Sequence, residues 1–222
     1  MIKTILFDLD GTIVNTNELI IASFLHALEG QTPGPFTREH IVPNMGRPLV
    51  EQMRHFSGRE QVEDLVQAYR EYNIRRHDEL VEEFPYVREV LGELHAAGIR
   101  MGVVTSKIRL TTQMGLKLLK LDEYLNVIVT VEDVKEPKPS PEGILQAMGE
   151  LGAEPASTLM VGDSQYDILA AQRAGVKAAG VAWTLKGEAF LQEYKPDYML
   201  HDMRELIALT GLANRSGKQT HR

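Results

Sequence analysis

Two aspartates two positions apart, Asp8 and Asp10, directly follow a short apolar run in the string ILFDLDGT near the start of the chain. Alternate residues of an extended segment point the same way, so both carboxylates can face one site. Two close carboxylates repel each other, and one pKa rises steeply unless a cation neutralises the pair. A hard divalent ion with oxygen ligands does this well, and Mg²⁺ suits a phosphate substrate. The pair therefore indicates a site for Mg²⁺ and an anionic substrate.

Three further segments place polar side chains at predicted strand ends or in loops. Thr105 and Ser106 end a second apolar run, Lys138 lies in the loop KPSPE, and Asp163 and Asp167 lie in GDSQYD. Phosphoryl transfer needs such parts, because the spread charge of the group must be stabilised by metal, ammonium and hydrogen-bond donors. A carboxylate next to the metal can also attack phosphorus and form an aspartyl phosphate. The four segments together predict phosphoryl-transfer chemistry.

The elements that must position these residues are short, unbroken apolar runs separated by helical segments. Unbroken runs are typical of strands covered on both faces, which favours a parallel sheet. We therefore predict an α/β fold with a doubly wound, Rossmann-like parallel sheet, whose ligands bind at the carboxyl ends of the strands. The predicted strands are 4–8, 100–106, 126–130, 158–163 and 177–183, and the predicted helices are 85–99, 141–153 and 166–176.

Residues 15–80 break this alternation, because they contain helical patterns and no convincing strand. We interpret them as a small all-helical cap inserted after the first strand. Its hinges are expected near residues 13–17 and 79–86, with Asn15, Thr16 and Asn17 favoured as caps of the first cap helix over residues lining the site entrance. The predicted domains are 1–14 and 81–213 for the core, 15–80 for the cap, and 214–222 for a flexible tail.

The composition of the 222-residue chain narrows the range of functions. It contains no cysteine, which excludes thiol chemistry, disulfides and cysteine-ligated metals. A formal net charge of −7 without a basic run argues against nucleic acid and anionic membranes as partners. No apolar stretch approaches the ~20 residues of a membrane span, and the N-terminus lacks a signal peptide's apolar core. We expect a cytoplasmic protein, most simply a monomer, that acts on a small molecule.

The segments DLDGT, VVTS, KPSPE and GDSQYD, in this order, resemble the four motifs of the haloacid dehalogenase superfamily of phosphohydrolases, and the helical insert is similar to that family's small cap. The resemblance implies that Asp8 is the nucleophile and Asp10 the general acid/base. It also implies that Thr105 and Ser106 bind the transferring phosphoryl group. Lys138 would offset charge at Asp8 and the phosphate.

The same resemblance implies the metal ligands. Asp163 would complete the Mg²⁺ site together with Asp8 and the main-chain carbonyl of Asp10. Asp167 would orient Lys138 or a metal-bound water, and Thr12 would support the site from behind these ligands.

Longer strings look like a subfamily, the PpaX-type pyrophosphatases. This closer resemblance implies inorganic pyrophosphate as substrate and a possible functional link to HPr kinase/phosphorylase. A phosphatase of a small organic phosphate, such as phosphoglycolate or a sugar phosphate, remains open because specificity lies in the cap. The strings are 15–24, 37–49, 114–134 and 180–187.

Several residues also have simpler interpretations. Asp8 and Asp10 are compatible with a turn, and Asp163 with a helix cap. Lys135 is a rival of Lys138. Arg47 in the cap suits a second phosphate, because its planar fork matches phosphate oxygens, but it equally suits a solvated surface position. A phospho-accepting receiver domain is the alternative from another class, although receivers lack both the second aspartate and a cap.

Overall fold

A six-stranded parallel sheet forms the centre of the molecule. The computed structural model describes residues 1–212, so the predicted tail 214–222 and residue 213 lie outside the described residues. The strands of this sheet span Thr4–Phe7 (β1), Arg100–Val104 (β4), Val127–Val129 (β5), Thr158–Gly162 (β6), Lys177–Val181 (β7) and Tyr198–Leu200 (β8). Their order across the sheet is β5-β4-β1-β6-β7-β8.

Ten α-helices accompany the strands within the described range, and those after residue 86 cover both faces of the sheet. The predicted doubly wound α/β fold is therefore confirmed. The helices span Asn17–Ala27 (α1), Arg38–Ile41 (α2), Leu49–Ser57 (α3), Glu63–Leu80 (α4), Val87–Ala96 (α5), Arg109–Leu118 (α6), Glu142–Leu151 (α7), Gln165–Ala174 (α8), Glu188–Gln192 (α9) and Glu205–Leu209 (α10). Among the helices of residues 1–212, none has both the length and the apolar character of a membrane span.

Strand β1 lies in the middle of the sheet and is buried on both faces. Its side chains alternate, so Ile5 and Phe7 enter the apolar cluster beneath α5, α6 and α10, while Leu6 enters the cluster beneath α7, α8 and α9. Both neighbours, β4 and β6, pair with it in parallel register. Double coverage explains why the sequence of this strand is an unbroken apolar run.

Helices α1 to α4 pack around an apolar cluster of their own. Phe24 of α1 contacts Phe56 of α3 edge-to-face, with ring centroids 5.4 Å apart, and Tyr69 of α4 at 4.8 Å. Met53 and Leu65 complete the centre of this cluster, which contains no residue of the sheet. The insert is thus helical, while its boundaries at residues 15 and 80 stay a prediction.

A two-stranded antiparallel ribbon joins the segments that enter and leave the insert. Val14–Asn15 (β2) pairs with Glu82–Glu83 (β3), Val14 opposite Glu83 and Asn15 opposite Glu82. Sequence patterns do not reveal this ribbon, because two residues show no periodicity and glutamate is depleted in strands. The ribbon lies within the two predicted hinge segments and ties them together.

Candidate active site

Three adjacent strands end at the same edge of the sheet, and each is followed by a polar residue. Asp8 follows β1, Thr105 follows β4 and Asp163 follows β6. Main-chain hydrogen bonds continue past the strand ends, from the Asp8 N–H to the Val161 carbonyl at 2.8 Å and from the Thr105 N–H to the Val129 carbonyl at 3.0 Å. The aspartates and the threonine, separated by about 150 positions in sequence, are therefore held on one rigid edge.

The Lys138 ammonium lies between two carboxylates at this edge. Its Nζ donates to Asp8 Oδ1 at 2.7 Å, to Asp167 Oδ1 at 2.5 Å and to the Val104 carbonyl at 3.0 Å. All three charged side chains are buried. The structure thus brings Lys138 to Asp8 and leaves the rival Lys135 exposed.

The second Asp167 oxygen is held by the start of α8. Oδ2 accepts hydrogen bonds from the Ser164 N–H at 3.0 Å and the Ser164 hydroxyl at 2.6 Å. The first of these is one half of a capping box, in which the Ser164 side chain also accepts from the Asp167 N–H. A Cβ at Gly162 would lie 2.2 Å from Asp167 Cγ, so only glycine allows this approach. Because both of its oxygens are used by the protein, Asp167 is placed to hold Lys138. The helix cap is Ser164, which leaves the Asp163 side chain for another role.

Buried negative charge at this edge exceeds the positive charge that Lys138 supplies. Oxygens of Asp8, Asp163 and Asp167 all lie within 4.8 Å of one another. Burial raises the pKa of Asp8 to about 7 against the opposing Lys138 charge, and burial together with the Asp8 charge raises the pKa of Asp163 well above its usual value. A divalent cation would relieve this repulsion, and the all-oxygen donor set fits Mg²⁺.

Asp10 does not join this carboxylate cluster, because other groups hold its side chain. Lys107 Nζ donates to its two oxygens at 2.9 and 3.1 Å, and the Thr16 hydroxyl donates to Oδ1 at 2.6 Å. Thr16 occupies the N-cap position of α1, as expected, but its side chain makes no cap hydrogen bond and its hydroxyl binds Asp10 instead. Sequence reasoning also missed Lys107, although its position directly after Thr105 and Ser106 was a signal.

Two hydroxyl residues, Thr105 and Ser106, line the same cavity as Asp8 and Asp10. Thr105 Oγ1 accepts a hydrogen bond from the Lys107 N–H at 3.2 Å, which leaves its own proton available to a ligand. Ser106 Oγ and Thr12 Oγ1 are buried and have no hydrogen-bond partner within residues 1–212. Ser106 lines the cavity described below, whereas Thr12 is outside its lining. Unpaired buried hydroxyls are costly, so Ser106 is suited to donate to a bound group.

A cavity of about 180 Å³ separates this edge of the sheet from the helical insert. Its floor comes from the core and includes Asp8, Asp163 and Ser106. The opposite wall comes from the insert and mixes apolar and polar side chains. Wall residues include Ile20, Phe24, Met45, Leu49, Val50, Arg47, Gln52, Tyr69, Arg70 and Asn73.

The segment Met45–Arg47 fastens the insert to the core beside the cavity. Arg47 Nε donates to the Tyr166 hydroxyl at 2.6 Å, and Lys186 Nζ donates to the Met45 carbonyl at 2.7 Å. A Cβ at Gly46 would lie 3.0 Å from the Ser164 hydroxyl oxygen. Arg47 therefore lines the cavity as the sequence suggests, but one of its nitrogens already binds the protein. Its role as a phosphate ligand stays a prediction.

The parallel-sheet fold and the site formed by Asp8, Lys138 and Asp167 indicate a phosphate-processing hydrolase, and the comparison with protein families agrees. Residues 5–181 match the family model described as haloacid dehalogenase-like hydrolase. The chain belongs to this family, which confirms the resemblance seen in its motifs. It is accordingly a phosphohydrolase.

Individual relatives are similar over nearly their whole length. Pyrophosphatase PpaX of Bacillus cereus (strain AH820) is 49% identical over 97% of this chain and 99% of its own. Pyrophosphatase PpaX of Bacillus velezensis is 48% identical over 95% of this chain and 97% of its own. A haloacid dehalogenase-like family hydrolase from Streptococcus pneumoniae is 28% identical, with a TM-score of 0.82 over 94% of this chain and 98% of that one.

Proposed function

We propose that this chain hydrolyses inorganic pyrophosphate to phosphate in a Mg²⁺-dependent reaction through an aspartyl phosphate at Asp8. The observation that carries the chemistry is the Lys138 ammonium held 2.7 Å from Asp8 at the floor of a cavity. The substrate rests on relatives named pyrophosphatase that share 48–49% of their residues with this chain.

In the first step, an Asp8 carboxylate oxygen attacks one phosphorus of pyrophosphate. The new O–P bond forms as the bridging P–O bond breaks, and orthophosphate leaves with the bridging electron pair. Thr105 and Ser106 donate hydrogen bonds to the transferring oxygens, and Lys138 offsets the charge at Asp8. Bound Mg²⁺, held by Asp8, Asp163 and the Asp10 carbonyl, would supply charge neutralisation.

In the second step, Asp10 takes a proton from water while the water oxygen attacks phosphorus. The bond between phosphorus and Asp8 breaks, which releases the second phosphate and restores the carboxylate. Lys107 and Thr16 fix the orientation of the Asp10 carboxylate for this role. Phosphate is a good leaving group, so Asp10 matters less as an acid in the first step than as a base in the second.

The test is a phosphate-release panel on wild type and Asp8→Asn, with Mg²⁺ or with EDTA. It compares pyrophosphate with phosphoglycolate, a sugar phosphate and p-nitrophenyl phosphate. We expect pyrophosphate to be hydrolysed fastest, EDTA to abolish the reaction, and Asp8→Asn to lose at least about 10³-fold in kcat. Mass spectrometry of acid-quenched wild type should find the phosphoryl group on Asp8.

Strong turnover of an organic ester beside weak turnover of pyrophosphate would overturn the proposed substrate while leaving the mechanism intact. Full activity of Asp8→Asn would overturn the mechanism. A phospho-Asp8 that persists without multiple turnover would instead indicate the receiver-like alternative.

A small organic phosphate monoester is the second candidate, and one observation favours it. The cap wall carries the apolar side chains of Phe24, Leu49 and Val50, which suit a carbon skeleton better than an anion. The panel above separates the two candidates. The functional link to HPr kinase/phosphorylase and the cytoplasmic location stay predictions of the sequence.

A further inference from the structure

Arg70 on α4 lines, from the cap side, the same cavity that Asp8 lines from the core. We propose, on the basis of the function proposed above, that the Arg70 guanidinium binds the phosphate of pyrophosphate that is not transferred. Arg70 would thereby select for substrates with a second anionic group. Three properties of the cavity support this assignment: the partners of its cations, the direction of the reaction, and the apolar character of the wall.

Other cations that line the cavity are already engaged with the protein. Lys107 binds both oxygens of Asp10, and Arg47 donates to Tyr166. Arg70, by contrast, forms no ion pair or hydrogen bond within residues 1–212, and it remains exposed. Two arginines further along α4 differ from it, since Arg76 pairs with Glu79 at 2.7 Å and Arg75 lies over the Tyr72 ring. Arg70 is thus a cation that is ready for a ligand.

The direction of phosphoryl transfer points the second phosphate toward this arginine. Attacking and leaving oxygens stand roughly in line with phosphorus. With Asp8 at the end of β1 as the attacking group, the leaving phosphate must project away from the sheet edge. That direction leads into the part of the cavity lined by α1, α3 and α4, where Arg70 lies.

A phosphate placed against that wall requires a cation beside it. Burying a phosphate with its charges against Phe24, Leu49 and Val50 would be strongly unfavourable without a counter-charge. A guanidinium supplies two parallel N–H donors that match two phosphate oxygens. Tyr69, which also lines the cavity from α4, can add a hydrogen bond to the same group.

This role predicts a selective effect. A substrate with one phosphorus and no second anionic group gains little from Arg70. Pyrophosphate should lose binding energy in both the ground state and the transition state when the guanidinium is removed, so KM should rise more than kcat falls.

The experiment compares Arg70→Met and Arg70→Lys with the control Arg75→Met from the same helix. Steady-state kinetics are measured with Mg-pyrophosphate and with p-nitrophenyl phosphate. We expect Arg70→Met to lose about 10- to 100-fold in kcat/KM for pyrophosphate, the range of one hydrogen-bonded ion pair, and less than about 3-fold for p-nitrophenyl phosphate. Arg70→Lys should recover part of the loss, and Arg75→Met should match wild type.

The outcomes separate this proposal from the one it rests on. Wild type that fails to hydrolyse pyrophosphate overturns the proposed function. Wild type that hydrolyses pyrophosphate while Arg70→Met keeps kcat/KM within about 3-fold overturns the role of Arg70 alone. Equal losses on both substrates would also overturn it, because they would indicate a general effect on the cap or the site.

Discussion

The floor and the cap wall of the cavity are built in opposite ways. On the floor, the buried Lys138 ammonium donates to the buried carboxylates of Asp8 at 2.7 Å and Asp167 at 2.5 Å. On the wall, Arg70 has no protein partner within residues 1–212, and Arg47 is held by one phenol. The core therefore enforces one geometry on the floor, whereas Arg70 on the wall can be replaced without breaking an ion pair or hydrogen bond within residues 1–212.

This difference assigns separate tasks to the two regions. Phosphoryl transfer needs groups that are positioned before the substrate arrives, which a rigid sheet edge provides. Choice of substrate needs groups that contact the part of the molecule beyond the reacting phosphorus. An insert joined to the core by a two-stranded ribbon, the Met45–Arg47 loop and the contact of α4 with α6 can supply these groups and still move to admit substrate.

Removing the Lys138 ammonium from the floor should have the largest effect of the substitutions compared. Lys138→Met leaves Asp8, Asp163 and Asp167 buried without the ammonium between them. We expect a loss of about 3–5 kcal/mol in the free energy of unfolding at pH 8 in EDTA, as for other broken buried ion pairs, and a fall in kcat of at least about 100-fold. Urea denaturation and phosphate release measure the two effects.

The matched control for this prediction is Lys135→Met, three residues away and exposed. It should change the free energy of unfolding by less than about 0.5 kcal/mol. Wild-type stability in Lys138→Met would show that the floor is not held by its charges, and the contrast with the wall would disappear.

The two regions also differ in how far the sequence reveals them. Asp8, Asp163 and Thr105 could be placed because each ends an apolar run, and parallel strands bring such ends to one edge. The run at 198–200 is only three residues long, too short to show a strand pattern, so β8 was not predicted. Arg70 could not be recognised, since an arginine on the polar side of a helix looks like any solvated residue.

Contacts across the two regions were equally hidden. Thr16 looked like a helix cap because its type and position suit one, yet its hydroxyl binds Asp10. The pairing of Arg47 with Tyr166 joins residues 119 positions apart, and no local pattern encodes it. Functional residues at strand ends can be predicted from the sequence. Contacts between the cap and the core cannot, because they depend on how these two segments dock.

Gly46→Ala should give an intermediate effect that acts on the docking of the wall. Gly46 has a φ of +95°, and an added Cβ would lie 3.0–3.1 Å from Ser164 and from the Tyr166 ring. The strain and the contact should disfavour the arrangement in which the loop meets the core by about 1–2 kcal/mol, which lowers kcat/KM by about 5- to 30-fold. Steady-state kinetics with pyrophosphate measure the change.

Gly34→Ala is the control for that variant, because Gly34 has no positive φ in its conformation and a Cβ there would meet nothing within 4 Å. It should leave kcat/KM unchanged. Equal effects of the two substitutions would indicate that any alanine in the cap acts alike, and that the loop contact has no special part in turnover.

Tyr166→Phe should have the smallest effect, because it removes one hydroxyl from the contact and keeps the ring. Arg47 Nε would lose its acceptor at 2.6 Å, while Lys186 would still hold the Met45 carbonyl at 2.7 Å. A single hydrogen bond of about 1 kcal/mol predicts a change in kcat/KM of about 2- to 5-fold. The direction is informative, since a guanidinium freed from Tyr166 can turn to the substrate. A decrease in kcat/KM would mean that the contact between Arg47 and Tyr166 serves closure of the cap. An increase in kcat/KM for pyrophosphate alone would show that Arg47, once released from Tyr166, joins Arg70 as a phosphate ligand.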